Sequence, residues 1–176
     1  MIEAILKRLG KQLGAEGHDA LVILENYKTG KIRRIWGRNI ITAAGDAWYG
    51  QKACGQTPTY NFRNCYLAGS GITPAKSNTY SSFGSIVPTN APPESGYPKT
   101  EDADTDNSGS GVDIVSWKYV FGTAHGAFAN ITHSFIAATN AAAGSLILNA
   151  YAWAASWSKD ADTSAKVFAN HQMNGT

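Results

Sequence analysis

The chain has 176 residues, 43% of them apolar and only 16% charged, with 18 Gly, 8 Tyr, 5 Trp and 6 Phe. An average soluble domain carries roughly 25% charged residues, so this composition excludes a charge-driven disordered chain and a long coiled coil. It fits one β-rich domain with many turns, and no apolar run reaches the roughly 18 residues that span a bilayer. The net charge of +2 points to neither nucleic acid nor a membrane as partner, but it is unevenly spread. Residues 1–38 balance to +4 and the remainder to −2, a basic leading segment on a nearly neutral body.

That leading segment places Ile2, Ile5, Leu6, Leu9 and Leu13 on one stripe at helical spacing, with Lys7, Arg8 and Lys11 mostly off it. Gly14 and Gly17 close the predicted helix. It is amphipathic and lacks a small-residue cleavage site, so no signal peptide is read; its basic character suggests a docking arm, with a helix face made basic for solubility as the alternative. Residues 1–19 are therefore expected to form a helical arm, and residues 20–176 one β-sandwich domain.

Residues 20–27 alternate as a strand, Lys28-Thr29-Gly30-Lys31 is a turn, and residues 32–36 return as the second strand of a hairpin. Residues 42–49 predict a short helix capped by Thr42. A strand is expected over residues 60–68. Residues 72–113, rich in Ser, Thr, Pro, Asn and Gly, predict a long polar excursion over the surface. Four strands follow. Val115, Trp117, Tyr119 and Phe121 alternate with Ser116, Lys118 and Val120. Ile131, His133 and Phe135 are expected on one face of the next strand. Over residues 146–157, Ile147, Tyr151, Trp153 and Trp157 are expected to share a face opposite Leu146 and Leu148. Val167, Ala169, His171 and Met173 mark the last strand. Turns without helical crossovers between these strands predict an antiparallel, jelly-roll-like β-sandwich.

No catalytic or nucleotide-binding motif with fixed spacing is present. His18, His125, His133 and His171 have no nucleophile beside them in a recognisable arrangement, and His133 and His171 read as structural. The strands after residue 113 carry no acid, which leaves no carboxylate pair for glycoside hydrolysis. Cys54 and Cys65, with ten residues between them, lack zinc spacing; they read as two buried thiols in neighbouring strands, with a disulfide between them as the alternative.

Two patterns suggest ligands. Asp102, Asp104, Asp106 and Asp113 occupy positions 1, 3, 5 and 12 of an EF-hand-like calcium loop. Asn107 and Gly109 depart from that pattern, and no helix precedes it, so a solvated acidic loop without bound cofactor is the expectation and calcium the alternative. Tyr151, Trp153 and Trp157 form an aromatic stripe suited either to a host-glycan-stacking platform or to a core or subunit interface.

The order of segments carries a resemblance. Gly37-Arg38-Asn39-Ile40-Ile41-Thr42-Ala43-Ala44-Gly45 is followed by Tyr66-Leu67-Ala68-Gly69-Ser70-Gly71-Ile72-Thr73-Pro74-Ala75. After the polar excursion comes Val115-Ser116-Trp117-Lys118-Tyr119-Val120-Phe121. This order, over about residues 20–176, resembles tailed-bacteriophage virion proteins, namely capsid decoration (cement) proteins and related tail or fibre structural proteins. The segment Asn130-Ile131-Thr132-His133-Ser134 departs from their pattern. The resemblance implies a virion protein without catalytic residues, assembled in the host cytoplasm. It would associate with itself, as a trimer, and with the major capsid protein or another virion protein. A tail or tail-fibre adhesion protein with a glycan-binding face is the alternative.

Overall fold

The computed structural model describes residues 20–101 and 114–172. The predicted arm, including Ile2, Ile5, Leu6, Lys7, Arg8, Leu9, Lys11 and Leu13, lies outside the described residues, as do Asp102, Asp104, Asp106 and Asp113.

The chain is mainly β and antiparallel. The strands are β1 (Ala20–Asn26), β2 (Ile32–Ile41), β3 (Asn64–Gly71), β4 (Phe83–Ile86), β5 (Lys99–Glu101), β6 (Ile114–Phe121), β7 (Phe128–Ala137), β8 (Asn149–Lys159) and β9 (Thr163–Gln172), with one helix, α1 (Ala43–Ala53). They form one sheet in the order β4-β3-β7-β8-β2-β1-β9-β6-β5. The sheet curls so that its two sides face each other, in the manner of a sandwich.

The closure comes from a segment that the sequence presents as a loop. After β4, Ala91 exchanges backbone hydrogen bonds with Cys65 of β3 at 2.9 and 3.1 Å. Two residues on, Pro93 bridges Tyr119 of β6, and the Glu94 N–H donates to the Lys118 carbonyl at 2.8 Å. An ion pair between Glu94 and Lys118 reinforces the seam. The expected surface excursion is therefore corrected in part: residues 83–94 link the two sides of the sheet. Ala91, at 0% exposure, is core.

Alternation fills the interior. Val22, Ile35, Leu67, Trp117, Tyr119, Phe121, Tyr151, Trp157 and Val167 belong to one buried cluster lined by seven strands. A smaller cluster, with Tyr66, Phe83, Phe135 and Ile147, covers the other face of β3, β7 and β8. Its rings stack closely, with Phe83 and Phe135 centroids 4.6 Å apart.

Two expected shared faces are broken. Asn130 takes a left-handed conformation (φ 57°), and the β7–β8 register shifts on both sides of Ile131. Such a bulge changes the phase of the strand. Ile131 consequently enters the main core, while Phe135 enters the smaller one. Likewise β8 begins only at Asn149, so Ile147 precedes the regular alternation and packs in the smaller cluster, away from Tyr151, Trp153 and Trp157.

Helix α1 follows β2 directly. Thr42 caps it, its Oγ1 accepting from the Gly45 N–H at 3.1 Å and donating to the Ile147 and Leu148 carbonyls. The helix lies so close to residue 148 that a Cβ on Gly45 would stand 2.1 Å from the Leu148 carbonyl oxygen. Gly→Ala inside a helix ordinarily stabilises by roughly 0.5–1 kcal/mol. At this contact the sign reverses, and Gly45→Ala is expected to cost about 2–3 kcal/mol in urea unfolding. A stabilised variant would contradict the close approach.

Candidate functional site

The densest polar arrangement among the described residues sits at the α1 end of the interior. It joins four elements: Tyr49 from α1, Trp117 from β6, Asn149 and Tyr151 from β8, and His171 from β9. Tyr49 Oη is 2.5 Å from His171 Nδ1 and accepts from Trp117 Nε1 at 3.0 Å. On the other side of the ring, Asn149 Nδ2 donates to His171 Nε2 and to Tyr151 Oη. The Asn149 carboxamide cannot turn over without loss, because its Oδ1 accepts from the Ile136 N–H at 3.0 Å.

That last bond assigns the tautomer. With an amide N–H aimed at it, Nε2 must be an acceptor, so the ring proton resides on Nδ1 and is donated to Tyr49 Oη. Burial holds His171 neutral, pushing its pKa down to about 3, and raises the phenol of Tyr49 despite the bond from Trp117. Tyr119, buried beside them, is also raised well above the ordinary phenol range, and its hydroxyl has no hydrogen-bond partner among the described residues. A neutral imidazole held on both nitrogens, with buried phenols around it, is a fastening between helix and sheet. It presents no activated nucleophile. Sequence periodicity puts His171 on one side of the last strand with Val167 and Ala169, but Tyr49 and Asn149 carry no signal, since neither belongs to a spaced motif.

His133 reads differently. It is half-buried, accepts or donates at Nδ1 with Thr132 Oγ1 at 2.8 Å, and meets the Phe83 ring edge-on; burial lowers its pKa. His125 lies in a short 3-10 turn and packs against Phe121. His18 is outside the described residues. The three described histidines, His125, His133 and His171, belong to separate contacts and are not gathered into one site.

The aromatic stripe is corrected as a sugar platform. Tyr151, Trp153 and Trp157 are exposed by only 0%, 7% and 1%, and they contact one another at centroid distances of 6.1 and 6.3 Å inside the main core. The physical reason is the curl of the sheet, which turns this face inward. Gly37 makes room for it, since a Cβ there would stand 2.7 Å from the Trp153 ring.

The cysteines are both free. Cys65 is buried in β3, and burial raises its thiol pKa, whereas Cys54 is exposed at the end of α1. The expectation of two buried thiols in neighbouring strands is thus corrected for Cys54, because the helix runs on to Ala53 and carries it to the surface. Among the described residues no group of three or more His, Cys, Asp or Glu is placed to hold a metal ion.

Comparison with protein-family models, with curated proteins and with solved structures finds no match to this chain.

Proposed function

We propose that this chain is a non-enzymatic structural protein of a tailed-bacteriophage particle, a decoration or cement protein. In this reading it associates as a trimer on the outside of the head and bridges neighbouring capsid subunits. The support is that the residues which carry the resemblance have folding tasks. Thr42 and Gly45 seat α1 against Leu148, Gly71 leaves room for Phe83 and His133, and Trp117 anchors Tyr49. A chain whose most patterned residues are spent on a closed scaffold is suited to contact by its surface.

The docking element in this reading is the Ile2, Ile5, Leu6, Leu9 and Leu13 stripe. An isolated helix of about three turns is marginal in water, so its apolar side needs a partner surface. Burying each large aliphatic side chain contributes roughly 1.5–3 kcal/mol, enough for four or five of them to hold a contact after ordering costs. Lys7, Arg8 and Lys11 would steer the arm toward an acidic surface and make association salt-sensitive.

Deleting residues 1–17 is expected to leave the β-sheet circular dichroism intact while abolishing trimers and incorporation into particles. A truncated protein that loses its sheet signal would place the arm in the core and reject the docking role.

A further inference from the structure

We propose that the tip of the β1–β2 hairpin is a docking surface for an acidic patch on a partner protein. It lies at the opposite end of β2 from α1 and owes nothing to the N-terminal arm. Nor does it rest on the virion reading, since an acidic face on any protein meets the same chemistry.

The tip is a built platform. Asn26 Oδ1 accepts from the Lys28 and Thr29 N–H groups at 3.1 and 2.9 Å and from Thr29 Oγ1 at 3.0 Å. Gly30, at φ 67°, completes the turn, its N–H donating to the Asn26 carbonyl at 2.8 Å. The Tyr27 N–H donates to the Asp162 carbonyl at 3.0 Å, which fastens the tip to the β8–β9 turn.

Every residue from 27 to 34 is exposed, and the stretch holds Lys28, Lys31, Arg33 and Arg34 with no acid. Lys28 is paired with Asp162 at 2.8 Å. Among the described residues Lys31, Arg33 and Arg34 have no carboxylate partner. Beside these cations stand two of the most exposed large apolar side chains, Tyr27 at 58% and Ile32 at 49%.

The combination selects the occupant. Protein interfaces favour Tyr and Arg anchors with an apolar centre and a charged rim, and complementary charge speeds and orients the encounter. A DNA duplex would use the cations through its phosphates, but its stacked bases would offer little to Ile32 and Tyr27 at the tip of a hairpin. The ordered turn lowers the entropic cost of docking, because the cations already project from a fixed backbone.

The test uses the full chain and three labelled probes in fluorescence polarisation: a Glu–Tyr copolymer, poly-glutamate of the same length, and a DNA duplex. The copolymer is expected to bind most tightly, with affinity falling as salt rises. Lys31→Glu with Arg34→Glu should weaken it at least about tenfold. The control pair Lys52→Glu with Arg63→Glu, exposed on α1 and ahead of β3, changes net charge equally and should weaken it less than about twofold. Tyr27→Ser with Ile32→Ser should erase the preference for the copolymer over poly-glutamate. Equal loss in the control pair, DNA binding as tight as the copolymer, or no copolymer binding would overturn the proposal. Loss of sheet circular dichroism in the tip variants would also overturn it, since an exposed tip tolerates them.

Discussion

Lowering the pH from about 7 to about 4 is expected to remove about 3 kcal/mol of stability through His171 alone. The sign follows from the direction of the shift. Unfolded, the imidazole takes its proton near its ordinary value of 6.5; folded, it resists protonation down to about 3. Between those values the unfolded chain binds a proton that the native chain does not, so the stabilisation present above pH 6.5 is lost as the pH falls. The geometry explains the resistance. A protonated ring would set Nε2–H against the Asn149 amide, donor against donor, with that amide pinned by Ile136. His133 has a lowered pKa as well and adds to the loss in the same direction, whereas the lowered Asp160 carboxyl adds to it only below its ordinary value of 3.8. Urea unfolding across this range checks the expectation. His171→Gln should be less stable at pH 7 but markedly flatter in its pH dependence. A variant with the wild-type slope would show that the acid sensitivity arises elsewhere.

Trp157→Ala is expected to cost about 3–5 kcal/mol, the range for deleting a large ring from a packed interior. Trp157 is 1% exposed and packs edge-on against Phe128 and Trp153 at 5.9 and 6.3 Å. Its indole N–H has no hydrogen-bond partner among the described residues, so the loss is one of packing and cavity formation. A surface platform for sugars would behave in the opposite way, tolerating alanine with little change in stability. Acrylamide quenching separates the two as well: the buried rings should be shielded, and host polysaccharide should leave their emission unchanged.

The sequence carries the fold most directly where strand, turn and cap chemistry act over a few residues. The Lys28-Thr29-Gly30-Lys31 turn between alternating strands, the Thr42 cap and the Trp117-x-Tyr119-x-Phe121 alternation all appear in the fold as the pattern implies. What was not legible depends on events that periodicity cannot carry. A single left-handed residue, Asn130, shifts the phase of β7 and sends Ile131 and Phe135 to different cores. Residues 83–94 close the sheet through backbone hydrogen bonds, which Pro, Ser and Thr permit without leaving an apolar rhythm. The His171 fastening draws on four elements up to 122 residues apart in sequence, so its members look unrelated until the sheet curls. The inward turn of Tyr151, Trp153 and Trp157 has the same origin: alternation shows that residues share a face, while curvature decides which way that face looks.

The proposed role is tested most directly by position on the particle. Labelled protein imaged on assembled tailed particles should decorate the head at regular, repeated sites, consistent with trimers bridging capsid subunits. Signal confined to the tail tip would contradict decoration and select the tail or fibre role instead.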